Sequence, residues 1–83
     1  MNMENQKEIK LHDFYQACVL KTVGFALTRV ERNNSKFVEF VFADPGEQST
    51  NILEKHWSGE LTLISKDLIQ SINDLKTRIY SGI

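Results

Sequence analysis

Six consecutive residues, Phe37-Val38-Glu39-Phe40-Val41-Phe42, carry five β-branched or aromatic side chains and a single acid. Branched and aromatic side chains lose rotamer freedom in a helix and pack well on a pleated surface, so the run reads as a strand. Alternation places Val38, Phe40 and Phe42 on one face and Phe37, Glu39 and Val41 on the other, making the first face wholly apolar and the second nearly so. A chain of 83 residues hides only about 60–65% of its unfolded surface. There is room for one thin core, and the rest of the chain has to cover this strand.

The cover can be read in order. Residues 1–10 show no apolar period and are expected to form a flexible tail, leaving 11–83 as a single domain. From Asp13 to Val23, Phe14, Ala17, Cys18 and Leu20 fall at helical spacings with Tyr15 and Val19 as a second pair, and Gly24 stands where a left-handed cap belongs. Phe25 to Glu31 alternates as a strand, with Phe25, Leu27 and Arg29 on one face. Arg32-Asn33-Asn34-Ser35 supplies turn chemistry, so the spacing predicts an antiparallel hairpin of 25–31 with 36–42. Two strands are marginal alone, which requires helices packed on them.

Asp44-Pro45-Gly46-Glu47 has the form of a helix start, with Asp as N-cap, Pro at the first position and Glu closing a capping box, although Ser49 one turn later serves equally well. Ser49, Ile52, Leu53, His56 and Trp57 then form one stripe that Gly59 ends. Leu61-Thr62-Leu63-Ile64 reads as either a third, edge strand or an extended linker. Ser65 caps the last helix, whose Leu68, Ile72, Leu75 and Ile79 define its apolar face, with Ile69 and Tyr80 widening it; Ser81-Gly82 stops it. The fold class is therefore α+β, a small single domain of order α-β-β-α-(β)-α with an antiparallel hairpin packed against helices.

Composition narrows the function classes. A 41% apolar and 25% charged chain with no run of 18 apolar residues and no basic-then-apolar leader is expected to be a cytoplasmic globule with no membrane partner. One cysteine cannot form an internal disulfide. Net charge is −1, but residues 1–36 hold six Lys/Arg against four acids and residues 37–83 hold four against seven, so the molecule is mildly bipolar.

Chemistry has little to stand on. Two histidines, His12 and His56, and one thiol, Cys18, fall short of the three or four ligands of a zinc site and lack its spacing. Cys18 lies within an apolar helix, where it acts as a small hydrophobe rather than a nucleophile. His56 reads as a boundary histidine beside Trp57. Trp57, Tyr15 and Tyr80 fall on apolar stripes and are expected in the core rather than as base-stacking platforms. The four glycines sit at helix boundaries, not in a phosphate-cradling loop, and no pair of carboxylates is forced into a common apolar pocket. The reading is a non-enzyme with no metal, no cofactor and no catalytic residue.

Several of these packing residues carry a resemblance. Asp13-Phe14-Tyr15-Gln16-Ala17 opening a helix that ends Gly24-Phe25, then Phe40-Val41-Phe42, Trp57-Ser58-Gly59 and Leu75-Lys76-Thr77-Arg78-Ile79-Tyr80, resemble the pattern of a family of small proteins of unknown function from bacteria, archaea and their phages. The match runs over about residues 11–80, with Leu11 where the pattern implies a Ser or Thr cap. The resemblance implies a phage or mobile-element setting and assigns no catalytic residue.

The leading expectation is a macromolecular interaction module whose partner is a protein, with an open sheet edge able to accept a strand from a partner or a second copy; a homodimer and a third helix compete for the same apolar face. One version is an inhibitor of a host defence nuclease (anti-CRISPR-like), presenting Glu39, Asp44, Glu47, Glu54 and Glu60 as an acidic face. The alternative is a small nucleic-acid-binding accessory protein using Lys21, Arg29, Arg32 and Lys36 at the hairpin.

Overall fold

The computed structural model describes residues 7–32 and 37–81. The elements follow as β1 (Glu8–Leu11), α1 (Phe14–Val23), β2 (Leu27–Arg32), β3 (Val38–Ala43), α2 (Ser49–Ser58) and α3 (Ser65–Tyr80). Among the described residues the sheet has three antiparallel strands in the order β1-β3-β2. The class is α+β. The element order is β-α-β-β-α-α, because the third strand comes from the N-terminal side: Glu8–Leu11 pairs with Phe40–Ala43, so residues 8–10 of the expected 1–10 tail form a strand, and 1–6 lie outside the described residues. Leu61–Ile64 is a linker rather than a strand.

The body measures 35 × 34 × 19 Å, and its short dimension is that of two layers each about 10 Å thick. The inner sheet face carries Ile9 and Leu11, Leu27 and Val30, and Val38, Phe40 and Phe42. Helix α1 is the centre of the helical layer: Ala17, Cys18, Val19 and Leu20 are all buried. Four successive residues span a full helical turn, so α1 is covered all round at its middle, while Tyr15 and Val23 towards its ends stay exposed. It packs on β1, α2 and α3. Phe14 meets Phe40 edge-on at 6.1 Å, and Leu53 of α2 and Leu75 of α3 complete the core.

The caps explain where the helices begin and end. Asp13 Oδ1 accepts the Gln16 N–H at 2.9 Å, so the N-cap is Asp13 itself and Leu11 is free to sit in the core. Gly24 at φ 126° lets both its own N–H and that of Phe25 reach the Leu20 carbonyl, as the glycine stop requires. Helix α2 starts at Ser49, the later of the two alternatives, and Asp44 acts from outside it. Glu47 lies in the intervening turn at φ 54° and closes no capping box. Ser65 is the first residue of α3, with Ile64 in the cap position and no side-chain cap bond. The turn 33–36 and Gly82 lie outside the described residues.

Helix α3 is fastened to α1 by a polar seam. The Thr22 hydroxyl donates to the Cys18 carbonyl at 2.7 Å and hydrogen-bonds the buried Ser71 hydroxyl at 2.9 Å. One turn further on, Lys21 Nζ lies 3.7 Å from Asp74 Oδ2. These contacts fix the direction of α3, which places its last two turns alongside β2.

Candidate interaction surface

The outer sheet face differs most from expectation. The pairing of β2 with β3 shifts between Leu27 and Arg29, leaving Thr28 as a bulge whose hydroxyl donates to the Val41 carbonyl at 2.9 Å. The extra residue inverts the alternation. Leu27 stays on the inner face, Arg29 and Glu31 move to the outer one, and Arg32 returns inward, where its Nη2 donates to the Ile79 carbonyl at 3.3 Å. From the outer face Arg29 crosses the central strand to hold Glu8 with both terminal nitrogens, at 3.0 and 3.2 Å, and holds Glu31 through Nε at 2.6 Å. Lys10 Nζ stands 3.6 Å from Glu31. Val41, paired across to Lys10 on one side and Arg29 on the other, lies beneath this bridge with no exposed surface. Around Val41 the second apolar face is thus closed by charges of the chain itself, while Phe37 at its end stays 55% exposed.

Hydrogen bonds from Glu8 and then Glu31 raise the Arg29 pKa, and the Arg29 hydrogen bond holds the Glu31 carboxyl below its ordinary 4.5. A lowered carboxylate contributes its stability fully above the ordinary value and loses it as pH falls through the folded-state value. Arg29→Met should therefore be less stable than wild type at neutral pH, with a gap that narrows below about pH 4.5. Thermal melts across that range check this; a gap independent of pH contradicts it.

The five expected acids do not form one face. Glu39 is on the outer sheet face, 3.2 Å from His12 Nε2. Asp44 is buried at the entry to α2, where its carboxylate is a structural acceptor. Glu47 occupies the turn and pairs with Lys7 at 3.6 Å. Only Glu54 and Glu60, both exposed, remain in the helical layer. The basic set is dispersed as well: Lys21 is paired on α1, Arg29 is bound on the outer face, Arg32 points inward to α3, and Lys36 lies outside the described residues. Burial pushes the Cys18 thiol up to about 11, so at neutral pH it is protonated and enclosed. Among the described residues no group of three or more His, Cys, Asp or Glu is placed to hold a metal ion, and no helix is long and apolar enough to cross a membrane.

Both sheet edges carry features that oppose open-ended pairing. β1 is four residues long with Glu8 and Lys10 in it, and β2 is bulged at Thr28 with Arg29, Glu31 and Arg32 beyond. Short, charged and bulged edges discourage strand addition.

Apart from Phe37, the exposed large apolar side chains among the described residues belong to the helices and the linker between α2 and α3. The α2 stripe is covered at Ser49 and Leu53 but not at His56 and Trp57, and Trp57 is 64% exposed. This corrects its expected place in the core, as it does for Tyr15 and Tyr80, which are also mostly exposed. Gly59, left-handed at φ 82°, turns the chain back so that the N–H groups of Glu60 and Leu61 both bond the Lys55 carbonyl. That return holds the linker against the end of α2. Leu61, Leu63 and the 68%-exposed Ile64 then line, with Val23 of α1, a shallow depression of about 330 Å³. Trp57 lies four residues before Leu61 in the chain, and Asp67 lines the depression; Glu54, Lys55, Glu60 and Lys66 are exposed in the same stretch of chain.

A second concavity, about 560 Å³, runs between the start of β2 and the last turns of α3. Phe25, Leu27 and Leu75 supply its apolar lining, Arg78 stands on its wall, and the Lys21–Asp74 pair marks one end.

A family model described as a domain of unknown function (DUF5659) matches residues 6–81, and the chain belongs to that family. No curated protein and no solved structure gave a match.

Proposed function

We propose that this member of the DUF5659 family is a non-enzymatic protein-binding module of the cytoplasm, docking through the tract of Trp57, Ile64 and Val23 at the end of its helical layer. The observation that carries the reading is Trp57: an indole on the inward stripe of α2 is left 64% exposed by a fold that buries every residue from Phe40 to Phe42. Covering that much indole is worth about 2–4 kcal/mol. Tryptophan in such a setting is the residue type most often found as an interface anchor.

The phage-like setting implied by the resemblance makes a host defence nuclease the first partner to test. Glu54 and Glu60 remain exposed from the expected acidic face, three residues either side of the anchor in the chain, but Lys55 and Lys66 are exposed as well, so apolar contact leads and charge steers. The nucleic-acid alternative gains nothing from the geometry, because Lys21, Arg29 and Arg32 are each engaged within the chain.

Tagged wild type and Trp57→Ala, compared by co-purification from a host lysate with and without nuclease, test the reading. The expected result is a protein that survives nuclease treatment and is lost from Trp57→Ala, while that variant keeps the wild-type circular dichroism. Capture that depends on intact nucleic acid, or that is unchanged in Trp57→Ala, contradicts it.

A further inference from the structure

The concavity beside β2 has features that together specify an occupant, and it lies apart from the Trp57 tract. Its strand wall is the stretch ahead of the Thr28 bulge. Ala26 faces β3, since its carbonyl accepts the Ala43 N–H at 2.9 Å. Ladder groups alternate in direction along an antiparallel strand, so the Leu27 N–H and C=O point away from β3, on the side of the groove. Its helix wall presents Arg78, which no described residue pairs, whereas the other cation, Lys21, is already held by Asp74. The strand wall ends at Leu27, where the Thr28 bulge interrupts the regular strand.

We infer that this groove binds the C-terminal end of an extended peptide. Entering beside Gly24 and running along Phe25 to Leu27, an extended segment finds backbone partners on one wall, an apolar floor on Phe25, Leu27 and Leu75, and a guanidinium on the other wall. The Thr28 bulge ends the run of outward-facing backbone groups, so the segment finds no further partners and stops there. A terminal carboxylate then meets Arg78, whose planar fork suits a bidentate carboxylate contact. Main-chain pairing with capture of a terminal carboxylate is an established way of reading short segments. The bulge and the charges beyond it keep the rest of the edge from recruiting whole sheets.

The test uses the ¹⁵N-labelled full chain and a pool of acetylated pentapeptides alternating Val and Thr, made once with free C-terminal carboxylates and once as C-terminal amides. The acid pool should shift the Leu27 amide and the Arg78 side-chain resonances, with the amide pool at least about tenfold weaker, as loss of a charge-assisted contact implies. Arg78→Gln should make the two pools equivalent. Trp57→Ala should leave the titration unchanged, which separates this groove from the tract above. No shift at Leu27 and Arg78, equal binding of acids and amides by wild type, or an Arg78→Gln variant that still prefers acids overturns the proposal. A concentration-dependent dimer that blocks the acid pool overturns it too, by putting a second copy on the edge.

Discussion

Phe40→Ala should cost about 3–5 kcal/mol, the range for removing a buried aromatic ring. Phe40 is 1% exposed at the centre of the central strand. It is edge-on to Phe14 and flanked across the ladder by Leu11 and Val30. The neighbours that must close the gap belong to three strands tied in register and to a helix buried through its middle turn, so collapse into the cavity is restricted. Domains of this size sit near the low end of the 5–15 kcal/mol range of stability, and the loss corresponds to a fall in Tm of roughly 12–40 °C. Phe40→Leu, which keeps most of the volume, should lose well under half as much. Urea melts of the two variants check this; equal costs would show that ring volume is not what Phe40 contributes.

Asp44→Ala should cost about 2–3 kcal/mol, more than an exposed cap would. Its carboxylate accepts the N–H of Gln48 at 2.9 Å and of Ser49 at 3.3 Å, and also takes the Ser49 hydroxyl. Both residues are buried, Asp44 at 7% exposure and Ser49 at 2%. Removing the acceptor strands two amides and a hydroxyl at the start of α2, where the dipole also favours a negative group. Asp44→Asn keeps one oxygen and should lose about half as much. If Asp44→Ala melts with wild type in urea, the carboxylate is not what holds α2 in place.

How much of this was legible in the sequence depended on whether the deciding interaction was local. Helix α1 and its glycine stop rest on spacing and caps within a few residues, and α3 on its apolar spacing alone, and they appear where the periodicity puts them. β1 does not announce itself. Glu8-Ile9-Lys10-Leu11 is too short and too charged to read as a strand, and it becomes one because the free edge of β3 needs a partner. The Asp44 reading had the right residue and chemistry one turn from the right place, since a carboxylate on a turn can reach the same amides as a cap inside the helix.

The surface was harder to foresee than the fold. Alternation put Arg29 beside Leu27, but one bulged residue sends it to the opposite face, where it closes over Val41; a bulge at Thr28 leaves no mark that a plain two-residue period detects. The Trp57 stripe was read correctly as a direction and wrongly as burial. Periodicity tells which way a side chain points, and only the tertiary arrangement tells whether anything lies there.

Trp57 is the only tryptophan of the chain, so its fluorescence reports on the proposed anchor without labelling. Acrylamide quenching of the folded protein, alone and in the complex recovered by co-purification, is the most direct test. A partner carrying its own tryptophan is prepared with 5-fluorotryptophan in this chain and followed by ¹⁹F exposure instead. The account predicts an indole that is readily reached in the free protein and shielded in the complex. A complex in which Trp57 stays as accessible as before would mean that the partner binds elsewhere.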